Sequence, residues 1–285
     1  MIESICDLIE AIKADFSHWD SKTKPWFRGE SGNDPPLRPK IAKYEPNHEN
    51  YVLQSFRRQA GGYANTHMPP RDDTDLWLFL AQHYRVPTRL LDWTEGALHA
   101  LYFAINMKRD DPKIYMLNAR KLNSIAGSKT HPLNYPLSWV KGGSLYVALA
   151  WQNRKLDQRQ SKQKDDIVLD LDIPLALPAT YHDRRMTAQR SCFTIHGEDL
   201  RSMQDILKDK GIELSECLYE YNINSEAVTS LMNELTILGI SAATIFPDLD
   251  HLADDLRADI ETDMERGKRI RKEGNLGQDI NDSTS

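Results

Sequence analysis

Several features that would assign a function at once are missing from this sequence. It has no run of about 18 apolar residues, so nothing in it predicts a membrane-spanning helix. Its three cysteines, Cys6, Cys192 and Cys217, are far apart and odd in number, which fits neither a disulfide framework nor a zinc knuckle. The N-terminus is acidic and lacks the layout of a signal peptide. We therefore expect a cytoplasmic protein without a membrane partner.

The common catalytic motifs are also missing. The sequence contains no HExxH, GxSxG, P-loop or GxGxxG pattern, and we expect no metal site. The net charge of −6 argues against a generally basic surface for nucleic acid, although it leaves room for a local basic cleft.

Apolar periodicity predicts helices and strands that mix without strict alternation. Helices are expected over a first segment that ends near Ser17, over residues 49–63 and 72–84, from about Thr94, over 224–238, and after Pro247 with Leu249, Leu252 and Leu256 inward. Strands are expected at residues 25–29, 113–117, 167–173, 190–196 and 218–221. We predict an α+β fold with mixed or antiparallel sheets flanked by helices.

The predicted organisation has one main unit. Residues 1–19 form an N-terminal helix, residues 20–260 a single catalytic-like domain, and residues 261–285 a flexible charged tail. Residues 153–165, which are almost all charged or amide side chains, are expected to form an exposed loop.

The most unusual segment is Gln82–Thr94, which crowds polar side chains around Pro87 between apolar flanks. Pro87 should end the preceding helix, and residues 88–92 should form a short strand or tight loop. His83 is either a satisfied core residue or a ligand contact. Of Thr88 and Arg89, one should face a cleft and the other should pair locally. Asp92 fits best as scaffold, through an ion pair or as the cap of the next helix.

Arg28 and Gly29 lie in the predicted strand at residues 25–29. An arginine there is either paired to a buried carboxylate such as Asp92 or holds a phosphate by bidentate contact. Gly29 would allow a turn or the close approach of a ligand. Tyr102, on the helix after Thr94, could lay its ring against a ligand.

A second polar cluster, residues 184–197, leads into a late strand. Gln189 is either a ligand contact at the mouth of the sheet or a loop residue that bonds to backbone. Arg184, Arg185 and Arg190 beside it would suit an anionic acceptor such as nucleic acid. Cys192 shows nothing that would lower its pKa, so we interpret it as a small buried residue.

Three groups of residues together resemble the FRG-domain family. They are Phe27-Arg28-Gly29, the run Gln82–Thr94, and Ala100-Leu-Tyr-Phe-Ala104, followed by the weaker Gln189-x-Ser191-x-Phe193 and Ile245–Asp250. Two positions depart from the family pattern, because Arg85 and Ser191 stand where glycine is usual or common. The order of these motifs is similar to that of ADP-ribosyltransferases, and this resemblance implies an ADP-ribosyltransferase-like fold.

The resemblance implies specific roles. Arg28, Thr88, Gln189 and His83 would be catalytic, and Arg28, Gly29, His83, Thr88, Arg89 and Tyr102 would bind NAD as a substrate. Arg184, Arg185 and Arg190 would hold the acceptor. In such enzymes a Gln-x-Glu loop supplies a catalytic glutamate; here Ser191 occupies that position, and Glu198 is the nearest downstream carboxylate.

Three functions are therefore open. The first is an NAD-dependent ADP-ribosyltransferase that modifies nucleic acid, RNA being favoured, and acts as a toxin or phage-defence effector with a possible antitoxin or chaperone partner. The second is a non-enzymatic nucleotide- or nucleic-acid-sensing module, which predicts no open cleft beside Gln189. The third is a metal-independent nuclease that uses His83 with Asp92.

Overall fold

One six-stranded sheet organises the chain. A computed structural model describes residues 1–19, 23–32, 35–45, 47–63, 68–106, 110–127, 170–178, 184–262 and 264. Within them every neighbouring pair of strands is antiparallel, in the spatial order β4-β5-β2-β1-β3-β6. The strands are β1 (Trp26–Glu30), β2 (Leu90–Thr94), β3 (Lys113–Leu117), β4 (Leu175–Pro178), β5 (Ser191–Ile195) and β6 (Leu218–Asn222). The α+β class is as predicted, and of the two predicted arrangements, mixed or antiparallel, the described strands show the antiparallel one, in a single sheet.

The helices begin and end largely where the sequence places them. They are α1 (Ile5–Phe16), α2 (Asn47–Gln59), α3 (Thr74–His83), α4 (Ala97–Ile105), α5 (Ala119–Ala126), α6 (Arg184–Ala188), α7 (Met203–Asp209), α8 (Val228–Ile237), α9 (Ala242–Ile245) and α10 (249–262). Within the described ranges, 3-10 turns occupy Lys40–Lys43, Ala60–Gly62, Leu214–Glu216 and Ser225–Ala227. Asp73 caps α3 by accepting the Leu76 N–H, and Gly239 follows α8 with a φ of 77°. No helix among the described residues has the length and apolar character needed to cross a membrane.

Strand alternation divides the core between the two faces of the sheet. Phe27, Ile114 and Met116 belong to a cluster with residues of α1, α4 and α8 on one face. Trp26, Tyr115 and Leu117 belong to a second cluster on the opposite face. Arg28 pairs in register with Tyr115, so its side chain projects from the second face.

Helix α4 packs directly on β1, and Gly29 makes this possible. A Cβ built at Gly29 would collide with the Ala100 carbonyl oxygen and would lie 2.6 Å from the Ala104 backbone nitrogen. The close approach expected at Gly29 is therefore that of a helix rather than of a ligand.

Strands β1 and β2 separate in the middle of the sheet. They share the single paired position Phe27 opposite Thr94, whereas β1 pairs with β3 along its full length. Beyond that position, the Asp92 carbonyl accepts a hydrogen bond from Arg28 Nη1 at 2.6 Å instead of from the backbone of β1. We call this gap between the central strands β1 and β2 the fork.

Four local expectations need correction or fall outside the described residues. The strand predicted at residues 167–173 is wrong where it is described, because residues 170–173 are turn and bend and β4 begins only at Leu175. Leu249, Leu252 and Leu256 are exposed rather than inward, and Asp255 ties α10 to the start of α9 instead. Gly96 precedes α4, so Asp92 does not cap it. Residues 153–165 and most of the predicted tail lie outside the described residues.

Candidate functional site

A cavity of about 810 Å³ lies at the fork, and its lining draws on both faces of the sheet, with Arg28 and Tyr115 from one face and Phe27 and Phe103 from the other. Ligand pockets usually have volumes of about 300–1,000 Å³. Among the described residues, its lining contains more basic than acidic side chains: Arg28, Arg38, Lys40, Lys43, Arg85, Lys113 and Arg185, against Glu30, Asp92 and Asp111. A chain of net charge −6 thus concentrates positive charge in one concave place, which suits an anionic ligand.

Arg28 spans the fork from β1. Its Nε donates to Glu30 Oε1 at 2.6 Å and its Nη1 to the Asp92 carbonyl at 2.6 Å, while Nη2 bonds to no residue in the described ranges. Burial disfavours its charge, but Glu30 and Asp92 outweigh burial and raise the pKa of Arg28. The predicted partner Asp92 therefore contributes its carbonyl, and Glu30 supplies the ion pair. Arg28 is a fixed cation with donor capacity left towards the cavity.

A chain of hydrogen bonds positions Asp92. Thr88 Oγ1 donates to Gln82 Oε1 at 2.6 Å, and Gln82 Nε2 donates to Asp92 Oδ2 at 2.7 Å. Asp92 is exposed to the cavity although its neighbours on β2 are buried, and its Oδ1 accepts no hydrogen bond from the described residues. Asp92 therefore presents an oriented carboxylate oxygen to the cavity, beyond the scaffold role that the sequence favours.

Gln189 faces the same cavity from the turn after α6. Its backbone is fixed, because its carbonyl accepts from Thr94 Oγ1 at 2.7 Å and its N–H donates to the Arg185 carbonyl at 2.9 Å. Its Nε2 is buried and has no hydrogen-bond partner within the described part of the chain. A buried donor of this kind normally finds a partner, so the amide is placed for a ligand acceptor.

Phe103 and Phe246 form an aromatic wall that the sequence did not reveal as part of the site. Their rings meet edge to face at 5.9 Å, and the Arg185 guanidinium lies 4.4 Å from the centre of the Phe246 ring. All three residues line the cavity. Tyr102, the predicted aromatic contact, is 4% exposed and does not line it. Position 102 on α4 faces the core, whereas position 103 faces the ligand side.

Arg89 is buried and fully engaged. Its Nε and Nη2 donate to Glu49 Oε2 at 2.9 and 2.6 Å, its N–H donates to Glu49 Oε1, and its Nη1 donates to the Gly197 carbonyl. Thr88 is fully buried behind the cavity wall. Neither residue contacts the cavity, so the predicted direct contact with NAD does not fit Thr88 or Arg89 in this conformation. Thr88 acts through Gln82 instead.

Of the remaining predicted residues, some line the cavity and others lie outside it. His83 lines the cavity and stacks edge to face with Tyr84 at 5.0 Å. Arg185 also lines it, whereas Arg184 and Arg190 do not, and Arg190 pairs with Glu95 at 3.2 Å. Glu198 is exposed and outside the cavity, so it does not supply the missing carboxylate. Burial raises the pKa of the Cys192 thiol well above its usual value, in keeping with a core residue.

Unusual backbone conformations gather around this cavity. Among the described residues, four non-glycine positions have positive φ: Leu37, Arg85, Asp111 and Arg190. Arg85 and Asp111 line the cavity, and the other two are each flanked on both sides by lining residues. Such conformations cost free energy for L-residues and concentrate at functional sites. Arg85 in particular keeps a long side chain where the resemblance expects glycine.

Comparison with known families finds a match to part of the chain. Residues 23–113 match the FRG domain. The matched FRG segment is less than half of the chain, and it contains Arg28, the Gln82–Asp92 chain and α4. Gln189 and Phe246 lie beyond it. No curated protein matches the sequence, and no solved structure matches it either. The similarity to ADP-ribosyltransferases therefore stays a prediction.

Proposed function

We propose that the cavity at the fork binds NAD and that the chain is an ADP-ribosyltransferase with a nucleic-acid acceptor. The observation that carries this proposal is the meeting of Arg28, Asp92 and Gln189 at one basic cavity, although they come from β1, β2 and the turn before β5. A cation, an oriented carboxylate and an unpaired amide are the kinds of group that hold a phosphate, stabilise developing positive charge and orient a sugar.

In ADP-ribosyl transfer, the bond from the ribose to nicotinamide breaks, positive charge develops on the ribose, and an acceptor atom forms the new bond while losing a proton. Asp92 is the cavity carboxylate best placed to stabilise that charge, because Glu30 is bonded to Arg28 and to the Leu37 N–H. Asp111, the third carboxylate, is exposed and pairs with Lys113 at 3.1 Å. Asp92 would thus replace the glutamate that Ser191 does not provide.

Arg28 would hold a phosphate with the donors that Glu30 and Asp92 leave unused. Gln189 would bond to the substrate through Nε2 without prior reorganisation, because its backbone is already fixed. Phe103 lines the cavity and would offer its ring to an aromatic group of the substrate, whereas the Phe246 ring is already stacked on His251 at 4.4 Å and lies under the Arg185 guanidinium. Each group is held by the fold before substrate arrives, as positioning and electrostatic catalysis require.

The test is release of nicotinamide from NAD and transfer of adenine-labelled NAD to cellular RNA, DNA or protein. We expect Asp92→Asn to lower release by roughly 100-fold or more, since preorganised electrostatic groups contribute about that much. Arg28→Ala should abolish both release and any growth arrest on expression. Asp111→Asn is the matched control, because it makes the same chemical change on the same cavity and should keep activity. Absence of release by the wild-type protein would refute the proposal.

Two other functions give different results in the same assay. A sensing module would bind nucleotide without releasing nicotinamide. It predicts no open cleft beside Gln189, whereas Gln189 lines the cavity. A nuclease that uses His83 and Asp92 is the second candidate, because both side chains line the cavity. Cleavage of RNA in the absence of NAD, lost in His83→Gln, would favour it.

A further inference from the structure

A fixed 3-10 turn presents two lysines at the cavity. Ile41 is buried, and its N–H donates to the Thr88 carbonyl at 3.3 Å, which anchors the turn Lys40–Lys43 to the start of β2. Residues three apart eclipse each other in a 3-10 helix, so Lys40 and Lys43 project from the same side. Both are exposed and line the cavity.

Two arginines add to this charge from either side. Arg38 Nη2 donates to the Ala42 carbonyl at 2.8 Å, which folds its exposed side chain over the same turn. Arg85, exposed at the turn after α3, lines the cavity from another element and holds a φ of 63°.

An exposed aromatic ring completes the surface. Tyr44 follows the turn directly, is 54% exposed and lines the cavity. Large aromatic side chains left in water beside several cations are the arrangement that binds single-stranded nucleic acid, since bases stack on the ring and phosphates meet the cations.

We propose that residues 38–44 together with Arg85, here named the basic rim, bind a single-stranded nucleic acid and lead it to the cavity. This inference rests on the proposed function, because the rim would carry the acceptor. It places the acceptor on a surface other than the predicted Arg184, Arg185 and Arg190, of which Arg185 lines the cavity and the other two do not. Stacking on Tyr44 requires an unpaired base, so single strands are favoured over duplexes and over acidic peptides.

The rim is tested by fluorescence anisotropy of a short labelled single-stranded RNA, without NAD, over a range of salt concentrations. Lys40→Gln with Lys43→Gln should lower the salt-dependence slope of log K by about 1.4, since each phosphate contact to a single strand contributes about 0.7. Tyr44→Ala should weaken binding by roughly tenfold, and Tyr44→Phe should bind like the wild type. The control variant Lys13→Gln with Arg120→Gln removes two exposed charges from α1 and α5, and should bind normally.

The inference is overturned if the two lysine changes leave the slope unchanged, if the control variant loses as much affinity, or if duplex RNA or polyglutamate binds equally well. Nicotinamide release by the wild-type protein without acceptor tests the proposed function separately. RNA binding that depends on Lys40, Lys43 and Tyr44 without nicotinamide release would reject the enzymatic proposal and keep the rim. Nicotinamide release without RNA binding that depends on these residues would reject the rim and keep the enzymatic proposal.

Discussion

The buried pair Glu49–Arg89 should be among the most sensitive points in the fold. Glu49→Ala removes the partner of three Arg89 donors and leaves the guanidinium, whose side chain is 10% exposed, with backbone carbonyls alone. Removing one partner of a buried ion pair costs about 3–5 kcal/mol. For a chain of 285 residues, whose entropy of unfolding is about 0.6 kcal/mol per kelvin, that corresponds to a fall in Tm of roughly 5–8 °C.

Urea denaturation and thermal unfolding of two further variants make this prediction sharp. Glu49→Leu combined with Arg89→Met removes both charges and should recover at least half of the loss, because apolar replacement of a buried pair is often nearly neutral. Glu216→Ala breaks the exposed pair with Lys121 and should cost less than about 1 kcal/mol. A Glu49→Ala protein as stable as Glu216→Ala, or a double variant no more stable than Glu49→Ala, would show that Arg89 is not a structural cation.

Three further outcomes are expected. Gly29→Ala should lower the free energy of unfolding by about 1–3 kcal/mol through overpacking against α4, whereas Gly62→Ala, with nothing near its Cβ, should not. Burial lowers the pKa of His196 to about 3, so the unfolded chain takes up a proton below its ordinary pKa and the folded chain does not. The free energy of unfolding should therefore fall by up to about 1.4 kcal/mol per pH unit as the pH is lowered from about 6.5 towards 3. The Tm of the His196→Leu variant should depend less on pH than that of the wild-type protein. Gln82→Leu should leave Asp92 without its donor and reduce nicotinamide release, with circular dichroism checking that the fold is intact.

Much of the fold follows from local sequence. Pro87 forces the chain out of α3, and Gly239 closes α8, so the ends of these helices could be placed from residue chemistry alone. The last helix follows Pro247 as predicted, but its buried face could not be predicted, because its leucines recur at helical spacing whether or not another element covers them. Leu249 is 81% exposed, and the contact that fixes this helix is polar, from Asp255.

The candidate site was harder to predict, since burial and direction depend on tertiary structure. The sequence predicts Arg28 and Gln189 as candidate site residues, because charged and amide groups beside apolar strands are unusual. It predicts Arg89 as a ligand contact, whereas Arg89 is buried against Glu49, which lies 40 positions earlier and which no local pattern connects to it. It predicts Asp92 as scaffold, because alternation alone does not show that the sheet opens beside it. Phe246 belongs to a recognised motif, but its proximity to Phe103 is a product of the fold.

The fork has a consequence for how any ligand is recognised. Beyond Phe27 and Thr94, the peptide groups of β1 and β2 do not pair with each other, so main-chain donors and acceptors of central strands can face the cavity. Peptide groups are present whatever the side chain, and alanine scanning cannot remove them. Part of the ligand affinity would therefore survive every side-chain replacement, and only a backbone change, such as an ester in place of the amide at Asp92, whose peptide groups face β1, would expose it.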